Sequence, residues 1–125
     1  ACRSGTLTAY GFGDSASALK EYGWFSENAS FVGEQYAHEV GLKLPNGWNL
    51  HDMHGNVYEW CRDSYSGKRR GVLDPRGPSS GSDRVFRGGS WLVNARNCRS
   101  AYRDRDSPDF RLSDLGFRVL RSSIK

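Results

Sequence analysis

Glycine supplies 15 of the 125 residues and proline only 4. Glycine reaches positive φ without steric penalty, so a chain this rich in it spends much of its backbone in tight turns and bulges rather than in long regular elements. Between the glycines stand four Trp, six Tyr and six Phe, side chains that each bury a large area. Gly11-Phe12-Gly13, Tyr22-Gly23-Trp24-Phe25 and Phe31-Val32-Gly33 repeat the combination. Aromatic anchors separated by turn residues suit an irregular layer packed on a sheet. The length allows one domain, 1–125, and the aromatic content is too high for a disordered chain.

Local patterns place few regular elements. A short helix is expected near Ser15 to Glu21, opened by Asp14 or Ser15 as its cap. Alternating apolar and polar positions predict strands over 55–60, 84–91 and 116–120. The stretch from Ser64 to Asp83, rich in Gly, Ser, Pro and Arg, reads as an exposed loop ending in the turn Asp74-Pro75-Arg76-Gly77-Pro78. No apolar run approaches the roughly 20 residues of a membrane helix, so no membrane span is expected.

Charge separates the two halves. Residues 1–61 hold 3 basic and 7 acidic side chains, and residues 62–125 hold 15 basic and 7 acidic. The basic half interleaves its signs, as in Arg103-Asp104-Arg105-Asp106, whereas nucleic-acid modules present a purer basic stripe. A nucleic-acid partner is therefore not expected. Cys2, Cys61 and Cys98 are odd in number and widely spaced, which defines neither a disulfide framework nor a zinc site, and nothing in the chain indicates its compartment.

Four motifs occur in order: Ala1-Cys2-Arg3-Ser4-Gly5-Thr6, the run from Pro45 to Cys61 that includes His51-Asp52-Met53-His54-Gly55-Asn56-Val57-Tyr58-Glu59-Trp60, Arg87-Gly88-Gly89-Ser90-Trp91, and Leu115-Gly116-Phe117-Arg118. Together they span nearly the whole chain, and they resemble the formylglycine-generating-enzyme (sulfatase-modifying factor) family. The resemblance implies an α+β, C-type-lectin-like fold with little regular secondary structure, short antiparallel strands and long loops. Members carry a further N-terminal portion before the Ala1 motif. The resemblance therefore implies that the N-terminal portion of the domain is missing here, and that the apolar face of the Tyr58 and Trp60 strand is covered by that portion or another polypeptide.

Catalytic members bind copper and activate oxygen with two cysteines, four residues between them, shortly after the Gly-Gly-Ser motif; soft thiolates suit Cu(I). Here those positions are Val93 and Cys98, so the pair is incomplete. An oxygen- and copper-dependent oxidoreductase with Cys98 as surviving thiol is the alternative reading, and Cys98 as a small buried hydrophobe is the simpler one. His38, His51 and His54 read as turn or surface histidines rather than metal ligands. Calcium is the better metal candidate. The family's calcium loop maps to Asp52, Gly55, Val57 and Glu59, two carboxylates and two carbonyls, the oxygen donors that a hard cation takes.

The segment 92–114 bears most on function. It reads as a polar frame, Asn94-Ala95-Arg96-Asn97-Cys98-Arg99-Ser100-Ala101 and later Pro108-Asp109, carrying dissimilar side chains. In variable proteins diversified by retroelements, a subgroup of this family, the corresponding stretch is templated by a repeat rich in asparagine codons whose adenines are randomised. Leu92, Val93, Tyr102, Asp104, Asp106, Ser107, Phe110, Leu112, Ser113 and Asp114 stand where that template has Asn. All their types arise from AAC by changing its adenines only, and the types so excluded, Lys, Glu, Gln, Met and Trp, do not occur between Leu92 and Arg121. The resemblance implies a non-catalytic ligand-binding domain that meets a protein or other macromolecule through Leu92, Val93, Asn94, Arg96, Tyr102, Asp104, Asp106, Phe110, Leu112 and Ser113. An ordinary family loop, with Arg99, Arg103 and Arg118 in structural ion pairs, is the competing reading.

Overall fold

The computed structural model describes residues 1–67, 78 and 80–121, and the predicted turn residues Asp74 to Gly77 lie outside the described residues. The first third of the chain is irregular, as the glycine pattern requires. A 3-10 turn over Ala16–Ala18 runs into α1, Leu19–Tyr22. Ser15 caps it, its hydroxyl accepting a bond from Ser17 N–H at 3.3 Å, which satisfies one of the donors that a helix start leaves open. Leu19 is fully buried and anchors the element.

Four strands form one mixed sheet: β1 Tyr58–Ser64, β2 Arg84–Arg87, β3 Asp104–Asp106 and β4 Leu115–Gly116, in the order β3-β2-β1-β4. The hairpin-like pair β1–β2 is antiparallel, with Trp60 opposite Phe86 and a register irregularity between Trp60 and Ser64. The β2–β3 pair is antiparallel too, but β4 runs parallel to β1, pairing Tyr58 with Leu115. The sheet thus departs from an all-antiparallel arrangement at one edge. Strand β1 begins three residues later than the alternation suggests, because Gly55 and Asn56 adopt left-handed φ values of 78° and 65° and turn the chain before it can join the ladder.

Two clusters make the core. Tyr10, Leu19, Phe25 and Cys98 bury one another, with Ala9, Phe12, Val93 and Ala95 packed against them. On the sheet, Tyr58 and Trp60 meet Phe86 edge to face, with ring centroids 4.9 and 5.5 Å apart, the separation such pairs favour. Tyr58 is buried by the chain itself, so the covering expected from elsewhere is not needed at this residue. Phe117, Val119 and Leu120, which follow β4 in the chain, are exposed apolar side chains. No helix among the described residues is long and apolar enough to cross a membrane.

Candidate functional site

The segment 92–114 is pinned through its backbone. Trp91 N–H donates to the Asn56 carbonyl at 2.8 Å, Ser26 N–H to Val93 at 2.9 Å, Ser100 N–H to Ala9 at 2.8 Å, and Tyr58 N–H to Asp114 at 2.8 Å. Side chains reinforce this: the Tyr10 hydroxyl donates to the Ala95 carbonyl at 2.9 Å, and Arg87 reaches the carbonyls of Ser100 and Tyr102 at 3.3 Å each. The Ser90 hydroxyl donates to Asp114 Oδ2 at 2.7 Å in a buried pair. Satisfied buried polar contacts of this kind fix one conformation.

Gly89 lets this segment sit close. Its φ is +78°, and a Cβ there would lie 2.4 Å from Cys98 Sγ. The Arg87-Gly88-Gly89-Ser90-Trp91 motif therefore has a packing role: only glycine both adopts that backbone and leaves room for the 3-10 turn Ala95–Cys98.

With the backbone held, the side chains divide. Leu92, Asn94, Arg96, Asp104, Phe110, Leu112 and Ser113 are exposed, as is Ser107. Tyr102 and Asp106 are half-buried, and the Tyr102 hydroxyl donates to Asp104 Oδ2 at 3.0 Å. Val93 packs against the core, and Asp114 is 5% exposed. Val93 and Asp114 are thus tied to the scaffold, although both stand at template-type positions. Of the three arginines of the competing reading, Arg118 pairs with Glu59, while Arg99 and Arg103 donate to the carbonyls of Arg96 and Ser66.

Cys98 is fully buried within the apolar cluster. Burial pushes its thiol up to about 12, so without a metal it is protonated at neutral pH and packs as a small apolar side chain. His54 is likewise buried rather than superficial. Its Nδ1 donates to the Cys98 carbonyl at 2.7 Å, and its Nε2 accepts from Gly11 N–H at 3.0 Å, which assigns the neutral Nδ1–H tautomer. Burial lowers its pKa. Cys2 Sγ lies 3.7 Å from Nε2 and donates to Ser100 Oγ at 3.4 Å, with burial raising its thiol pKa. Since Nε2 already accepts a backbone proton, Cys2 and His54 form a structural node joining the first motif to the second and to Ser100. His38 is also inside, stacked on Trp24 with centroids 3.8 Å apart and 2.7 Å from Glu34.

The predicted calcium residues all line one open groove of about 470 Å³, together with Val40, Gly41, Phe117 and Arg118. Asp52, in a left-handed φ of 55°, is 7% exposed. Its Oδ2 accepts from Gly41 N–H at 2.7 Å, and its buried Oδ1 has no hydrogen-bond partner among the described residues. The Glu59 carboxylate is held by Arg118: Nη2 lies 2.8 Å from Oε1 and Nε 3.0 Å from Oε2.

Residues 1–123 match the family described as Sulfatase-modifying factor enzyme 1-like domain. The formylglycine-generating enzyme of Mus musculus is 40% identical over 79 residues, covering 59% of this chain and 21% of that protein. Among solved structures, Treponema denticola variable protein 1 superposes with a TM-score of 0.83 at 40% identity, over 93% of this chain and 41% of that one. PvdO from Pseudomonas aeruginosa superposes at 0.68 with 25% identity, over 84% of this chain and 39% of that one. The chain spans about a fifth of the mouse relative's length. Its fold is C-type-lectin-like, with few helices and a small mixed sheet, and by the match over 1–123 this chain belongs to the sulfatase-modifying factor enzyme 1-like domain family.

Proposed function

We propose that the chain is a non-catalytic ligand-binding domain whose face between residues 92 and 114 contacts a protein or other macromolecule. The observation that carries this reading is the contrast between a pinned backbone and outward apolar side chains. Leu92, Phe110 and Leu112 remain 53%, 43% and 48% exposed on a segment anchored by the bonds of Ser90, Ser100 and Asp114. Burying a Leu or Phe side chain is worth about 1.5–3 kcal/mol, and exposing several is tolerated chiefly where a partner covers them. A rigid frame with a few large side chains loses little entropy on binding. The likeness to Treponema denticola variable protein 1 supports a variable face diversified by a retroelement. Against copper-dependent oxidation stands Val93, which leaves Cys98 without the second thiol of a pair.

The test is a protein array probed with this domain and with a Leu92→Ala/Phe110→Ala/Leu112→Ala variant. Binding lost in the variant, with unfolding unchanged within about 1 kcal/mol, as befits surface sites, supports the reading. A variant that binds equally well, or that unfolds, refutes it.

Calcium is a second element of the proposal, and the orphaned Asp52 Oδ1 favours it. The donor set fits a hard cation: the Asp52 and Glu59 carboxylates and the Gly55 and Val57 carbonyls, with waters completing the six to eight oxygens that calcium takes. Bound there, calcium would supply charge to the Asp52 carboxylate and cross-link the loop that leads into β1. At a hundred times its dissociation constant it would stabilise the fold by about 2.7 kcal/mol; a melting temperature unmoved by calcium or chelator would contradict this.

A further inference from the structure

The groove that holds the proposed calcium ligands already contains a cation. Among the described residues that line it, Arg118 is the only Arg or Lys. Its Nε lies 3.2 and 3.0 Å from the two Glu59 oxygens, and its Nη2 lies 2.8 Å from Oε1. The same Nη2 donates to the carbonyls of His51 at 2.9 Å and Asp52 at 3.2 Å. The guanidinium thus bridges Glu59 to the backbone of the loop bearing Asp52, the connection calcium would make. It leaves the buried Asp52 Oδ1 without a hydrogen-bond partner among the described residues.

Resting on the calcium reading, we propose that Arg118 is the resident counter-cation of this site, and that calcium gains Glu59 only by displacing it. A carboxylate whose two oxygens are held by a forked guanidinium has its best lone pairs engaged, and calcium needs those oxygens to approach six ligands. Two cations on one carboxylate also repel each other in a partly screened groove. Arg118 sits two residues beyond the end of β4. Its displacement frees the Phe117–Arg118 end of that strand from the loop at His51 and Asp52, coupling calcium to the arrangement of this sheet edge.

The probe is calcium chloride, titrated calorimetrically into the full chain and into Arg118→Gln and Glu59→Gln variants. The expected result is calcium binding at least tenfold tighter to Arg118→Gln than to the parent, and loss of binding in Glu59→Gln. Equal affinities in the parent and Arg118→Gln overturn the displacement while leaving the calcium reading standing. No binding to either overturns both. A second measurement needs no variant: the side-chain Nε–H resonance of Arg118 in the parent shifts as calcium saturates the site. Saturation without that shift contradicts the proposal.

Discussion

Replacing Gly89 by Ala tests whether the Gly-Gly-Ser motif packs the root of the 92–114 segment. Gly89 has φ +78°, and an added Cβ would meet Cys98 Sγ at 2.4 Å, Cα at 2.9 Å and Cβ at 3.1 Å. Gly33 supplies the control, because its φ of +91° is equally left-handed while nothing lies within 4 Å of an added Cβ. Left-handed backbone costs a non-glycine residue about 1–2 kcal/mol, and forced displacement in a packed core costs about 1–3 kcal/mol more. Gly33→Ala should thus lose about 1–2 kcal/mol and Gly89→Ala about 2–5 kcal/mol in urea unfolding. Combining Gly89→Ala with Cys98→Ala removes the closest contact and leaves those to Cα and Cβ, so the double variant should recover part of the difference as a favourable coupling. Equal losses for Gly33→Ala and Gly89→Ala would refute the packing role of the motif.

The buried thiol and imidazole give opposite pH dependences. Cys98 keeps its proton in the folded state up to about 12, against an ordinary value near 9. Its contribution is therefore intact below pH 9 and is lost as pH rises towards 12, by about 1.4 kcal/mol per unit at most. Urea unfolding at pH 8 and 10 should show a steeper decline in the parent than in Cys98→Ala; identical slopes would contradict the burial of the thiol. His54 is shifted down by burial, so the unfolded chain takes up a proton first and stability falls as pH drops below about 6.5. Imidazole resonances followed by NMR should show His54 titrating at lower pH in the folded protein than in the unfolded chain, and an unshifted ring would contradict its burial against Gly11 and Cys98.

Local signals in the sequence located the Ser15 cap and strands β1 and β2, because capping and period-2 alternation act over a few residues. Strand β3 escaped notice: Asp104-Arg105-Asp106 offers no apolar alternation and pairs only as an edge on β2. The parallel pairing of β4 with Tyr58 and Glu59 joins residues more than fifty apart, a contact no local pattern encodes. The start of β1 was shifted by the left-handed φ of Asn56, whose buried amide exchanges hydrogen bonds with the His38 backbone. His54 and Cys2 became legible as one node only once the fold joined the first motif to the second. The motif order alone had pointed to the family, while the exposure of Leu92, Phe110 and Leu112 and the burial of Asp114 required the three-dimensional arrangement.

The measurement that tests the account most directly is sequencing of this gene and its flanking DNA from independent isolates. A displayed face predicts differences concentrated at exposed positions such as Leu92, Phe110, Leu112 and Ser113, with Ser90, Cys98 and Asp114 unchanged. It also predicts a near-copy of the 92–114 segment, rich in asparagine codons, beside a reverse transcriptase. Differences spread evenly along the chain, with no such copy in the flanking DNA, would contradict the display reading and return the segment to the scaffold.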